Sequence, residues 1–236
     1  MGRRNLQLRG SAPKRGVMRV ARRDYNKWNN ISGYIDPVPD FLRRYHLDGT
    51  DVSLVPVNSP TIVAGVALPD ETASSFNGVD QRYNGVADSS IFATIGSGAY
   101  SIAVWIKVVA GVTQRLIATA TSTADGFEIF RQSGGTIQLA YNGSGNDFRT
   151  TAVDDGSWHH VAWTCLGTGQ APIVYTDGAQ TRVGSPRAYS FIDTGVFNIG
   201  GSSANNAQLV GELDDIRFYD RAMTPAEITL LFNDKA

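Results

Sequence analysis

One cysteine and three histidines in 236 residues leave little material for thiol or soft-metal chemistry. Cys165 alone cannot close an intramolecular disulfide, so the chain is not a scaffold stapled by bridges, and one argument for secretion is missing. No apolar run near the N-terminus has the length of a signal-peptide core, and none elsewhere approaches the span of a membrane helix. These absences predict a protein made and first folded in a cytoplasm, with no membrane partner. A βαβ alternation, a Gly-rich phosphate loop opening a helix and a clean short repeat are also lacking, which argues against the common nucleotide-binding and solenoid architectures.

What is present is glycine (25 residues), many Ser, Thr and Asn, 10% aromatics and only 18% charged residues. That is the profile of strands joined by many turns. The net charge of −1 hides an asymmetry: residues 1–28 carry nine Lys/Arg against one acid, Asp24. Twelve bases and twenty-one acids remain for residues 29–236, so a +8 arm is joined to a −9 body. The arm has no sustained period, and its Gly, Pro and Asn interrupt every attempt at one. Alone in water such a segment has no fold of its own, and the expectation is that a partner or the body holds it. The candidate contact residues are Arg3, Arg4, Arg9, Lys14, Arg15, Arg19, Arg22, Arg23, Tyr25, Lys27 and Trp28.

From about Asp36 the texture changes. Apolar segments of strand length recur between turn signals: SLVPV (53–57), TIVAGVAL (61–68), YSIAVWIKVV (100–109), RLIATAT (115–121), GFEIFRQ (126–132), TIQLAYN (136–142), WHHVAWTCL (158–166), PIVYTDG (172–178), VFNIGG (196–201) and ELDDIRFYD (212–220). Their spacing predicts antiparallel all-β structure, with hairpin turns at Asp177-Gly178 and Gly134-Gly135. One helix is well specified: Thr224 offers an N-cap hydroxyl, Pro225 suits the first helical position, and Glu227 completes a capping box. Ile228, Leu231 and Phe232 then form one apolar stripe.

Several of these pieces together resemble the laminin-G-like, or concanavalin A-like lectin/glucanase, sandwiches, and they occur in family order. RRYHLDG (43–49) looks like the opening strand and SSFNGVDQRYNGV (74–86) like the F-(D/N)-G strand and turn. AYSIAVWIKV (99–108) and GSWHHVAWTC (156–165) are similar to two family strands, PIVYTDGAQ (172–180) to a family hairpin and FNIGG (197–201) to a further strand. LVGELDDIRFYDRAMTPAEITLLF (209–232) resembles the closing segment. The resemblance implies an all-β fold: an antiparallel jelly-roll β-sandwich over residues 36–236 with one short C-terminal helix, and an extended basic N-terminal arm, residues 1–35, outside it.

Such sandwiches host lectins, glycosidases, adhesion modules and virion proteins, so function has to be argued from sites. Among the sandwiches it resembles, glycosidases commonly carry a Glu-x-Asp-x-Glu or Glu-x-Asp-x-x-Glu strand, and the chemistry needs two carboxyl groups flanking the bond. GELDDIRF supplies Glu212 and Asp214, but the second glutamate is replaced by Ile216 or Arg217. No catalytic residue is assigned, and the expectation is a protein that is not an enzyme. His159 and His160 are adjacent in a strand, point to opposite faces and cannot chelate one ion; one is expected in the core and the other toward solvent. Cys165 reads as a buried inert thiol. Asp214 shares the parity of Ile216 and Phe218, the apparent inward face, and a buried carboxylate needs a partner. The resemblance allows it as a ligand of a structural calcium ion, although no cofactor is required; acceptance of backbone N–H bonds is the equal alternative. The Asn-rich loops NGSGND (142–147) and SSANNAQ (202–208) suit sugar hydroxyls but contain no aromatic platform, and the match of Asn142-Gly143-Ser144 to the N-glycosylation pattern reads as accidental.

The arm is the stronger clue. Its cations suit an acidic protein surface or, without sequence specificity, nucleic-acid phosphates. Together with the resemblance, this points to a non-enzymatic virion structural protein of a bacteriophage, anchored through the arm to capsid or tail subunits in an oligomeric assembly. The sandwich would face outward, decorating the shell or touching host glycans. The alternative is a glycan-binding or adhesion module of a bacterial surface protein.

Overall fold

The computed structural model describes residues 36–38, 40–48, 53–67, 71–85, 90–119, 127–141, 148–192, 196–202 and 207–235. The arm, residues 1–35, and every contact residue expected in it lie outside the described residues. In chain order the elements are β1 (Arg43–Tyr45), β2 (Val55–Val57), β3 (Thr61–Ala64), β4 (Thr72–Asn77), β5 (Arg82–Asn84), α1 (Ser90–Ile95), β6 (Tyr100–Val109), β7 (Gln114–Ala118), β8 (Phe127–Arg131), β9 (Thr136–Tyr141), β10 (Arg149–Ala152), β11 (Asp155–Cys165), β12 (Ile173–Thr176), β13 (Ala179–Val183), β14 (Asn198–Ile199), β15 (Val210–Tyr219) and α2 (Pro225–Asn233).

Two antiparallel sheets form a sandwich. The eight-stranded sheet runs β13-β12-β11-β6-β15-β4-β3, with β1 added beside β15; the seven-stranded sheet runs β10-β9-β8-β7-β14-β5-β2. The alternation expected of strands with one buried face is kept. Ile102, Val104, Ile106 and Val108 of β6 meet Phe127 and Ile129 of β8 and Leu139 of β9 in one core. Phe92 of α1 plugs this core, with ring centroids 4.6 Å from Phe127 and 5.6 Å from Phe218. Full burial of such a side chain is worth about 1.5–3 kcal/mol, so these layers hold the sandwich together.

The turns follow from backbone conformation. Asp177 and Gly178 both have positive φ, +52° and +77°. A two-residue hairpin requires that combination to match the strand twist, and it joins β12 to β13. α2 begins as its sequence predicts: Thr224 accepts from the Glu227 N–H while Glu227 reaches back to the Thr224 N–H. Ile228 and Leu231 bury against Ala103, Ala162 and Tyr219 on the outer face of the eight-stranded sheet. Among the described residues no helix is long and apolar enough to cross a membrane.

Candidate functional site

The acidic stretch of β15 is where the sequence raises chemistry. Its strand is not regular. Asp214 pairs with Trp105 and Arg217 with Ala103, so Asp215 and Ile216 together face Val104, and Asp215 takes φ +47°. This is a β-bulge: one extra residue reverses the alternation of everything after it. Leu213, Ile216 and Phe218 therefore all enter the inner core. Asp214 does not share their face, and the expectation from simple parity fails because parity does not see the bulge.

Asp214 is instead buried on the outer side, where its Oδ2 accepts the N–H groups of Val66 and Ala67, each at 2.9 Å. Gly65 permits this approach, since a Cβ there would lie 2.5 Å from Asp214 Oδ2. The carboxylate thus fixes Val66 and Ala67 after β3, and Ala67 bridges to Lys235 next to the C-terminal helix. Two N–H dipoles aimed at one oxygen present positive ends where calcium would need an open lone pair, so Asp214 Oδ2 does not fit a cation. Among the described residues no group of three or more His, Cys, Asp or Glu is placed to hold a metal.

The extra residue of the bulge joins a buried ionic lock. Arg217 bonds Asp215 at 2.7 Å, Asp36 at 2.9 Å and Asp234 at 3.0 Å; Arg44 bonds Asp36 at 2.7 Å and Asp215 at 2.5 Å. Burial alone would raise the Asp215 carboxyl, but Arg217 and Arg44 outweigh it and hold the group far below the usual carboxylate range. Burial would likewise lower Arg217, and Asp215 overrides it upward. The lock ties Asp36, where the described body begins, to β1, β15 and the end of α2.

His160 and His159 do separate as adjacent strand residues must. His160 lies buried under α2, its ring edge-on to Trp105 at 5.1 Å, and burial depresses it to about 4. His159 is half-buried between Asp177, 2.8 Å from Nδ1, and Asp155, 3.2 Å from Nε2. Burial pulls its pKa down, but the two carboxylates outweigh it and the net shift is upward. Cys165 is buried in the core, its thiol directed at the Gly167 carbonyl.

Two further acids of the closing stretch are also engaged. Glu212 pairs with Lys107 at 3.2 Å, and Glu227 pairs with Arg221 at 2.7 Å while capping α2. The loop 142–147 and residues 203–206 lie outside the described residues. Sequence reasoning passed over the outer face of the seven-stranded sheet. There Arg149, Gln138, Phe130 and Arg115 form one cross-strand row, and Ala140, Glu128, Ala118, Asn198 and Asn84 the next. Arg115 Nε donates to Glu128 at 2.9 Å. The signal available was the alternation itself, since Glu128 and Gln138 interrupt apolar strands at outward positions, but nothing in the residues announces that they are buried there.

Residues 80–229 match the family described as the Concanavalin A-like lectin/glucanases superfamily. The chain belongs to this superfamily. β1 to β4 lie before the matched residues and still complete the superfamily sandwich by pairing with β15 and β5. No curated protein sequence matches the chain. Among solved structures, domain 4 of AbnA, an extracellular arabinanase of Geobacillus stearothermophilus, in complex with arabinotriose, is 18% identical, with 80% of this chain and 96% of that one covered at a TM-score of 0.57. The receptor-binding domain of botulinum neurotoxin type G is 9% identical over 76% of this chain and 46% of that one, TM-score 0.56. Trypanosoma rangeli sialidase in complex with sialic acid is 17% identical over 76% of this chain, TM-score 0.52, and this chain spans 32% of it. At these identities the likeness is one of fold.

Proposed function

We propose that this chain is a non-catalytic, lectin-like recognition module held in a bacteriophage particle by its basic arm. The observation that carries the non-catalytic part is the destination of four carboxylates in the closing stretch: Lys107 takes Glu212, backbone N–H groups take Asp214, two buried arginines take Asp215 and a helix cap takes Glu227, while Asp220 is exposed. Glycoside hydrolysis needs two carboxyl groups facing one scissile bond, one of them able to carry a proton near neutral pH. Asp215, held ionised by Arg44 and Arg217, has the opposite property.

The superfamily supports the lectin-like part, as does the arabinotriose complex of the AbnA domain. The particle part rests on the charge asymmetry: a +8 arm on a −9 body suits an acidic groove between capsid or tail subunits, with any contact to nucleic acid non-specific and weakened by salt. The second reading, a glycan-binding or adhesion module of a bacterial surface protein, shares the sandwich and differs in what the arm holds; the extracellular source of the AbnA domain favours it.

Deleting residues 1–28 is the direct test. Loss of the protein from assembled particles, with the melting temperature of the sandwich unchanged, is the expected result. Particles that carry the truncated protein at full occupancy overturn the anchoring role. Release of reducing sugar from a β-glucan or arabinan panel by the purified chain overturns the non-catalytic reading.

A further inference from the structure

A sheet ends in strands whose outward backbone groups have no ladder partner, and folded chains blunt such edges with charge, proline or a bulge. Among the described residues the end strands are β13 and β3 of the eight-stranded sheet and β10 and β2 of the seven-stranded one, with β1 set beside β15. All but one of these are blunted. β13 carries Arg182 and a register shift against β12; β10 carries Arg149 and a shift against β9. β2 has Pro56 at its centre, and β1 carries Arg43 and Arg44. β3, Thr61-Ile62-Val63-Ala64, is uncharged, contains no proline and pairs residue for residue with β4. Its Ile62 is 42% exposed.

A cavity opens beside this edge. It lies between β3 and β2, the end strands of the two sheets, has a volume of about 150 Å³ and is lined by Leu47, Leu54, Pro56, Pro60, Ile62 and Tyr83. The Tyr83 hydroxyl is taken by Ser74 at 2.8 Å, and the nearby Ser59 carbonyl accepts from Gln81 Nε2 at 2.9 Å. The space therefore calls for hydrocarbon, and an apolar cavity of this size holds a benzene-sized group. An open edge with a pocket beside it suits an extended strand that brings one aliphatic side chain, since main-chain bonds then give affinity and the pocket gives selectivity.

A second copy of this chain supplies both. Two β3 strands run antiparallel about a two-fold axis, and no like charges meet across Thr61–Ala64. Ile62 pairs with Ser74, whose hydroxyl turns to the interior, so Ile62 is the inward residue in the middle of the strand. Opposite residues of an antiparallel pair point to the same face. With Ile62 opposite Ile62, each copy sets its isoleucine at the mouth of the other's cavity.

We infer that β3 is the edge through which two copies of this chain associate, with Ile62 of each capping the apolar cavity of the other. Four paired residues and one cavity fall short of the roughly 800 Å² per partner of a stable interface, so the association is weak and concentration-dependent. It is independent of what the arm holds.

Sedimentation equilibrium of the full chain over about 10–300 µM should show a reversible monomer–dimer mixture. Ile62→Lys places a charge on the edge and should raise the dimer dissociation constant at least tenfold, while Val183→Lys, on the exposed strand β13, should leave it unchanged. Ile62→Cys should be cross-linked between copies by a short bismaleimide, because opposite Cβ atoms lie about 4.5–5.5 Å apart and the native Cys165 is buried. A native chain that stays monomeric up to the highest concentration overturns the inference. Association that survives Ile62→Lys, or that Val183→Lys weakens as much, overturns it too. Failure of Ile62→Cys to cross-link where the native chain is dimeric does the same, whatever the stability of Ile62→Lys.

Discussion

The two outer faces make the instructive comparison. On the eight-stranded sheet, Asp36, Arg44, Asp215, Arg217 and Asp234 form a buried ionic lock, and Asp214 Oδ2 is taken up by backbone N–H groups. On the seven-stranded sheet the amide oxygens of Gln138 and Asn198 are buried and left without donors. The first arrangement is what a structural seam looks like, because a half-satisfied buried network costs more than an apolar one. The second leaves two buried oxygens whose desolvation is not repaid by a hydrogen bond.

The largest test of this contrast is Arg217→Met, which removes the cation that Asp36, Asp215 and Asp234 share and leaves Arg44 to hold the first two. Removing one partner of a buried ion pair costs about 3–5 kcal/mol, to be read from urea denaturation midpoints at constant slope. A loss under about 1 kcal/mol would erase the distinction between the two faces.

Acid should act on the same seam. His160 sits at about 4 in the folded chain against an ordinary 6.5, so the folded state prefers the neutral ring. Its stabilising contribution is intact above 6.5 and is lost as the pH falls from there toward 4, a few kcal/mol at about 1.4 kcal/mol per unit. Asp215, depressed below its ordinary 3.8, adds its own loss only at lower pH. His159 works in the opposite sense, since its raised pKa favours the fold at low pH and the contribution fades as the pH rises through the folded value. His160→Phe should flatten the stability profile between pH 6.5 and 4; a slope that persists in this variant assigns it to other groups.

Smaller effects sharpen the boundary of the seam. Gly65→Ala pushes a methyl to within 2.5 Å of Asp214 Oδ2 and 2.6 Å of the Thr72 carbonyl carbon. Overpacking of this kind costs about 1–3 kcal/mol, and hydrogen exchange should show the Val66 and Ala67 amides losing protection first. Thr224→Ala removes the cap of α2 and should cost about 1 kcal/mol, measured by thermal melting.

The fold was legible because its signals are local or periodic. β6 runs over the whole predicted segment 100–109, the Asp177-Gly178 hairpin has the two positive φ values its residues invite, and α2 carries the capping box read from Thr224 and Glu227. β10 and β13 escaped notice because they are short and mostly polar, one at each edge of a sheet, where a single apolar face is not needed. The strand TIVAGVAL stops at Ala64: the Gly65 amide bonds the Glu71 carbonyl, and Asp214, distant in sequence, claims the amides of Val66 and Ala67.

What the sequence determined by itself is therefore the architecture: alternating strands, the closing helix, and the lack of a second glutamate after Glu212 and Asp214. These depend on neighbours within a few residues, where backbone preference and hydrophobic period act. Only the tertiary structure decided where Asp214 points, since one bulge residue at Asp215 reverses a strand's faces without altering its composition. It also decided which polar residues are satisfied. Arg217 and Gln138 both stand in apolar strands, and the difference between a buried lock and a buried acceptor without a donor lies in groups that the fold brings in from far along the chain, or does not.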